Sequence, residues 1–462
     1  MGSERTCNYQ LLIMNYFIKY FVILLLLFVF GNSCKKYVEI PPPDDKITAG
    51  QVYASTATID AAMTGLYQFA FGNEPSSQSE YPWGVVDQYI AVAADDAING
   101  SPEYDEFYQN IYPSTDATLG KMWTGPYLAI GRANGFIEGV TGSTVISEEK
   151  KNNYLAQARL TRAYYYFILS NLFGDVPLPL GTDVNQTSVL PRVSRTLVDT
   201  AIMSDLLFAR DHLTADQGSD NFTFNQHAAN AMLARMYGYK KDWAAEKTAA
   251  DAIIGSNRYA LVKDPVDVYT TGNSEAIFQV SNVGTYYEGT IIGSFFDRGL
   301  IVTLTPGLLS LYGPDDLRLP AWTVFDGTNY AFNKFTYPPA NPQAQVLMRL
   351  ADVVLLRAEA RAQLNELDDA IDDINLIRER AGIADLPHGL TQTEVIQGMM
   401  DERRKEFFAE DITRWFDLSR WGIIQSTMKA AKPTTWTEKA ALFPVMKNEL
   451  SLNPKLTQTP GY

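Results

Sequence analysis

Two sets of acidic residues in this 462-residue chain are spaced to do chemistry. Asp95 and Asp96 adjoin in a stretch rich in Tyr, Gly and Ser. Glycoside hydrolysis uses such a pair, about 5–9 Å apart, with one pKa raised. Glu402, Glu406 and Glu410 recur at four-residue steps, which stacks three carboxylates on one helix face, where they repel unless cations intervene. Arg403, Arg404 and Lys405 flank them, Arg414 continues the ridge, and Phe407, Phe408, Trp415, Phe416 and Trp421 add apolar area. A charge cluster held against aromatics can tune a catalytic pKa, and it can equally lock a helix between layers. Thiol chemistry and Cys-based metal sites are excluded more firmly. Cys7 and Cys34 are the only cysteines and lie in the first 34 residues, so the body has no Cys nucleophile, disulfide or Cys-based metal site. His212, His227 and His388 are too few and too scattered for a His-rich metal cluster. No nucleophile elbow, P-loop, HExxH or EF-hand pattern occurs, so neither a catalytic residue nor a cofactor is expected and no metal ligand is assigned. The oxygens of Asp95 and Asp96 could hold a Ca2+ ion, but nothing in the sequence fixes the six to eight ligands it takes.

Residues suited to binding without reaction are more numerous. Aromatics make up 12% of the chain, with 26 Tyr and 23 Phe. A sugar site needs flat apolar rings for the C–H face of a pyranose and Asp, Asn, Arg or Gln for its hydroxyls. Two irregular segments carry that mixture. Residues 71–114 hold Tyr81, Trp83, Asp87, Gln88, Tyr89, Asp95, Asp96, Asn99 and Tyr104, and residues 258–345 hold Tyr286, Tyr287, Asp297, Arg298, Trp322, Tyr330 and Tyr337. Trp83, Tyr286, Tyr287 and Trp322 stand beside Gly, Pro, Thr or Asp rather than in apolar runs, which marks them as ligand contacts. Tyr81, Asp87, Tyr89 and Tyr330 complete the expected site. About half of these aromatics should instead pin loops to the body, since buried rings dominate packing energetics.

Such loops need a frame, and the sequence reads as mainly α-helical. Leu347, Leu350, Ala351, Val354, Leu355, Ala358 and Ala362 recur at three- and four-residue steps. After Asn365 the period restarts with Leu367, Ala370, Ile371, Ile374 and Ile377, and Gly382 supplies a stop. Two helices joined by so short a turn must lie antiparallel. Residues 225–239 and 242–254 form a second hairpin, with Ala228, Ala231, Ala234, Ala245, Ala249 and Ala252 where the helices approach. Helices are also predicted over 59–69, over 118–140 with a break at Gly125-Pro126, over 148–173 starting at Ser147, and over 197–213. A short strand is predicted over 275–282, and residues 422 onward read as irregular. The hairpins resemble tetratricopeptide repeats in degenerate form.

The net charge of −15 argues against nucleic acid and against adsorption to anionic lipid. Residues 1–33 read as a targeting segment: Lys19 precedes an apolar run over 20–30, a signal core too short to span a bilayer. Gly31 and Ser33 lead into Cys34, followed by KKYVEIPPPDD. This resembles a bacterial lipoprotein signal, cleaved before a cysteine that becomes acylated. An ordinary secretory signal with an incidental cysteine is the competing reading. Residues 34–50 then form a stiff polar tether, and 51–462 a single domain with helical repeats over about 118–255 and 346–410.

Several segments match one family in its order. They are YVEIPP after Cys34, ARLTRAYYYFILSNLFGDVPL, GPDDLRLPAW, RLADVVLLRAEA with NLIRERAGI, ERRKEFFAED with RWFDLSRWG, and NPKLTQTPGY. With them the chain resembles the SusD/RagB family of outer-membrane, nutrient-binding lipoproteins. The resemblance implies a SusD-like right-handed superhelix of helix hairpins carrying long ligand-side loops and a few short strands, with no catalysis. It further implies an outer-membrane, lipid-anchored protein facing the cell exterior. There it would capture an oligosaccharide or polysaccharide and form the lid of a SusC-like, TonB-dependent transporter barrel. The alternatives are a glycoside hydrolase built on Asp95 and Asp96, and a helical-repeat protein whose main role is to bind the transporter.

Overall fold

Local capping sets several helix starts in this chain. The computed structural model describes residues 14, 16–22, 49–71, 84–100, 102–216, 221–280, 302–334, 343–410 and 412–462. It divides into two units, Met1–Val52 and Tyr53–Tyr462. In the first, residues 16–22 are helical and exposed, and Ala49–Val52 makes one helical turn. No helix among the described residues is long and apolar enough to cross a membrane.

The second unit is the body. Its longer helices are α1 (Thr56–Phe71), α2 (Gly84–Ala93), α3 (Ala117–Gly142), α4 (Glu148–Phe173), α5 (Arg195–His212), α6 (Gln226–Lys240) and α7 (Trp243–Ile254). After a strand-bearing segment come α8 (Leu350–Gln363), α9 (Leu367–Arg380), α10 (Gln392–Phe407), α11 (Thr413–Arg420) and α12 (Ile424–Ala431). Asp116, Ser147, Asn225 and Asp242 each accept a hydrogen bond from the amide three residues on, at the starts of α3, α4, α6 and α7. Thr391 and Glu394 form a reciprocal capping box on α10. Gly382, at φ +72°, stops α9 in the left-handed conformation that a side chain disfavours.

From α3 onward each helix lies against the one before, through α4, α5, α6, α7, α8 and α9, and α10 covers α8 and α9. The α7–α8 contact brings together helices separated by the whole strand-bearing segment. Buried Ala228, Ala231, Ala234, Ala249, Ala250 and Ala358 let α6, α7 and α8 approach closely. Two small antiparallel sheets complete the body. In one, the order is β1 (Ala97–Asn99), β3 (Val302–Leu304), β5 (Tyr330–Phe332), β4 (Thr323–Phe325). In the other, β2 (Ala276–Val280) pairs with β6 (Gln345–Arg349), both wholly buried, and β6 runs directly into α8.

Three expectations need correction. Helix α3 is unbroken across Gly125-Pro126, both buried in its interior. Proline removes one backbone hydrogen bond, and burial against α1 and α4 outweighs that local loss. The stretch 71–114 is not one loop: it holds α2, β1 and a helical turn at Asp105–Tyr108. Residues 422 onward hold α12 and a turn at Lys447–Leu452, and long-range bonds order the remainder. Phe443 donates its amide to Leu172 O at 2.8 Å, and Lys447 donates to Ser114 O at 2.9 Å.

Candidate functional site

Five successive residues of α10, Glu402 to Glu406, are charged and largely buried. At about 100° per residue they point around the whole circumference of the helix, with Glu402 and Glu406 back on one face, so the cluster reaches neighbours on every side. Glu402 and Glu406 share Arg318 Nη1, at 2.6 and 3.1 Å. Glu406 also takes Arg349 at 2.6 Å and Arg380. Glu410, one turn on, takes Arg349 at 2.6 Å, Lys334 at 3.1 Å and the Tyr269 hydroxyl at 2.7 Å. These are the cations that the glutamate ladder demands. Burial alone would raise the pKa of Glu406, but Arg380, Arg349 and Arg318 outweigh it and hold the carboxyl well below the usual range. Burial pushes Lys334 down to about 8.

Arg403 points the other way, to Asp352 at 3.0 Å and Asp417 at 2.8 Å. Arg235 reaches Asp352 from α6, and Arg420 joins Asp417 to Glu359. The cavity between these groups holds only ≈ 30 Å³, room for about one water. Arg404 points a third way, with Arg414 of α11, to the Asp95-Asp96 pair. Arg414 grips Asp95 through two bonds of 2.7 and 2.8 Å, and Arg404 bonds Asp96 at 2.8 Å. The turn between α10 and α11 is strained, with Ala409 at φ +52° and the β-branched Ile412 at φ +58°.

The acidic pair is thus a structural clamp. Asp95 and Asp96 are 6% and 1% exposed. Burial and its neighbour Asp95 raise the pKa of Asp96 despite the two arginines, whereas Arg414 and Arg404 lower that of Asp95 against its own burial. Such a split could suit an acid and a base, but the void that Asp96 lines measures ≈ 10 Å³. No sugar ring can reach it. Thr305 fastens the same corner by donating to Asp96 O at 2.9 Å and Asp95 O at 2.8 Å. Lys432 donates to Val92 O and Ala93 O at 3.0 and 2.9 Å, holding the end of α2, and burial pushes its pKa down to about 7.

The two irregular segments meet on this frame. Strand β1 of the first pairs with β3 of the second, Asn99 opposite Val302, inside one four-stranded sheet. Phe71, at the end of α1, meets Phe278 of β2 edge-on at 5.1 Å. Val280, the last residue of β2, pairs with Gln345, the first of β6.

The expected ligand contacts fall in three groups. Tyr81, Trp83, Tyr286, Tyr287 and Cys34 lie outside the described residues. Asp87 lies on α2. Tyr89 is half-buried against Tyr104 and Phe107, with ring centroids at 4.8 and 4.7 Å. Trp322 is a correction: it is wholly buried, donates Nε1–H to Pro265 O at 2.9 Å, and stacks among Tyr269, Phe408 and the Lys334 ammonium. It pins the second segment to α10 and touches no open surface. Tyr330 sits half-exposed on β5, its ring 4.8 Å from that of Phe325. Phe325 was not singled out from sequence; the Asp326-Gly327 turn between two aromatics was the signal for a hairpin that would display it.

Comparison with known proteins agrees with the architecture. Residues 333–462 match the family profile described as the SusD family, and residues 36–237 match the one described as starch-binding, associating with the outer membrane. A SusD-like protein of Formosa agariphila is 24% identical, with 92% of this chain and 95% of the relative aligned. Another, from Bacteroides ovatus, is 26% identical over 87% of this chain and 82% of the relative. Among solved structures, a SusD superfamily protein of Bacteroides vulgatus superposes with a TM-score of 0.76 at 21% identity, covering 88% of this chain and 99% of its own. The surface glycan-binding protein A of Bacteroides fluxus gives 0.72 at 22% identity, covering 88% and 100%. Helical frame, ordered motifs and both family profiles agree that this chain is a member of the SusD/RagB family.

Proposed function

We propose that this protein binds an oligosaccharide or related glycan at the cell surface and hands it to a SusC-like, TonB-dependent barrel, with no covalent step. The observation that carries the reading is the β1–β3 pairing, which joins the two aromatic-rich segments in one sheet. Membership of a family whose profile is described as starch-binding, and likeness to a surface glycan-binding protein, support a carbohydrate as the ligand. Trp83, Tyr81, Tyr286 and Tyr287 would stack on sugar faces, with Asp87 for hydroxyls and Tyr89 as a partly exposed neighbour. Cys34 would carry the lipid that anchors the chain to the outer membrane, facing outward.

Affinity electrophoresis of the mature protein on soluble starch, arabinoxylan, laminarin and alginate tests the reading. Retardation by at least one of them, weakened in Trp83→Ala, is expected; no retardation on any would overturn it. The Cys34→Ala variant should leave the membrane fraction. A companion reading assigns transporter docking to the helical repeats. An open groove of ≈ 820 Å³ between α5, α6 and α7, lined by Arg210, Gln226, Asn230, Tyr237, Asp242 and Thr248, favours it. Co-purification with a barrel, lost when Tyr237 and Asn230 are both changed to Ala, is the corresponding test.

A further inference from the structure

We propose that the β4–β5 hairpin is a sugar-contact site of its own, with Phe325 as the stacking platform. The inference rests on the carbohydrate-binding reading above. Phe325 is 55% exposed, and no other Phe, Tyr or Trp among the described residues of the body shows so much of its surface. Burying a Phe side chain stabilises by about 1.5–3 kcal/mol, so a ring held out in water on an ordered hairpin forgoes that gain.

The ring is presented rather than loose. It lies opposite Tyr330 in the β4–β5 register, and the two rings sit 4.8 Å apart at 38°. Tyr330 therefore backs Phe325, which keeps more than half of its surface exposed. The turn is fixed from within. Asp326 Oδ1 accepts the amides of Thr328 and Asn329 at 2.8 and 2.7 Å, the Asp326 amide donates to Asn329 O at 3.1 Å, and Gly327 takes φ +98°. Strand β5 is anchored by Phe332, fully buried and stacked on Phe408 at 5.5 Å. A ring whose position is set before binding loses little entropy when a ligand lands on it.

Its neighbours favour a sugar over a protein partner. Asp326, Thr328 and Asn329 are all exposed, and with Asp326 Oδ1 already engaged, Asp326 Oδ2, the Thr328 hydroxyl and the Asn329 amide offer both donors and acceptors. One apolar face ringed by such groups matches one pyranose. A stable protein interface needs roughly 800 Å² per partner, with an apolar centre, far more than one ring supplies. In a polymer, this contact would act in concert with the loop aromatics and raise avidity.

The experiment compares wild type, Phe325→Ala, Phe325→Trp and Trp83→Ala by affinity electrophoresis on soluble starch, arabinoxylan, laminarin and alginate, with circular dichroism to confirm folding. On each polysaccharide that retards the wild type, Phe325→Ala should weaken binding about two- to tenfold, as expected for one aromatic stack, and Phe325→Trp should retain it. Unchanged retardation in Phe325→Ala, with Trp83→Ala still impaired, overturns this inference and leaves the proposed function standing. A wild type retarded by none of the four overturns both. Loss of barrel co-purification in Phe325→Ala with unchanged retardation makes the ring a protein contact, and likewise overturns the inference.

Discussion

Replacing Glu406 by Gln removes one negative charge from the middle of α10 while keeping its shape. The side chain is fully buried and faces Arg318, Arg349 and Arg380. Those arginines keep Glu402, Glu410, Glu275 and Asp316 as partners, but Lys334, Arg378 and Lys405 pair with Glu410 and Glu402 as well, so six cations are left with four carboxylates. Removing one member of a buried ion-pair network costs about 3–5 kcal/mol. For a body of roughly 410 residues, an unfolding entropy of about 2 cal/mol/K per residue converts this to a Tm loss of about 3–6 °C. The pH dependence follows the same charge. An unfolded glutamate takes up its proton near 4.5, whereas Glu406 in the folded state resists it to well below that value. Below pH 4.5 the unfolded chain therefore binds more protons, and wild-type stability falls as pH falls. The variant should show a shallower fall. Scanning calorimetry at pH 7 and pH 4 on both proteins checks this, with Glu148→Gln as a surface control whose ion pair is exposed and worth under about 1 kcal/mol. A Tm shift below 1 °C in Glu406→Gln at pH 7 would refute the view that this network holds the frame.

Three further outcomes are expected. Trp322→Ala should cost about 3–5 kcal/mol by calorimetry, as for a large core truncation, and leave polysaccharide retardation unchanged; a weakened retardation would restore Trp322 as a ligand contact. Glu246, fully buried with neither oxygen hydrogen-bonded among the described residues, has its pKa raised well above the ordinary value by burial and by Glu359. The folded state then holds a proton that the unfolded chain has released, so this group lowers stability as pH rises above 4.5. Glu246→Gln should be more stable than wild type at pH 8, and denaturant melts showing equal or lower stability would contradict it. Ala409→Gly should stabilise by about 1 kcal/mol, because it relieves a left-handed conformation costly to any residue with a Cβ; an unchanged urea midpoint would count against strain in that turn.

Features set by short-range chemistry were legible in the sequence, and those set by distant partners were not. Helix α4 begins where Ser147 predicted, because a cap and its amide lie three residues apart. The glutamate ladder announced a need for cations, yet nothing nearby named Arg318, Arg349 or Lys334, which stand 88, 57 and 76 residues from the groups they bind. Trp322 looked like a surface ring because Pro320 and Thr323 are its neighbours in sequence, whereas its environment comes from Pro265 and Phe408. Asp95 and Asp96 invited a catalytic reading for the same reason: the arginines that occupy them are more than 300 residues away. Of the expected contacts, Tyr89 and Tyr330 are both partly exposed in the described structure, each beside another ring.

The clamps at Asp95, Asp96 and the end of α2 have a consequence for how the chain is made. A polypeptide grows from its N-terminus, and domains fold as their parts emerge. Here the stretch that follows Trp83 is fastened by Arg404, Arg414 and Lys432, separated from it by 308, 319 and 340 residues. Contacts of such range form slowly, because a long loop must close before they give anything back. Until residue 404 has been synthesised, that stretch has none of these three fasteners. A nascent chain stalled before that point should thus leave residues 84–96 open to protease while α3 to α7 are already protected.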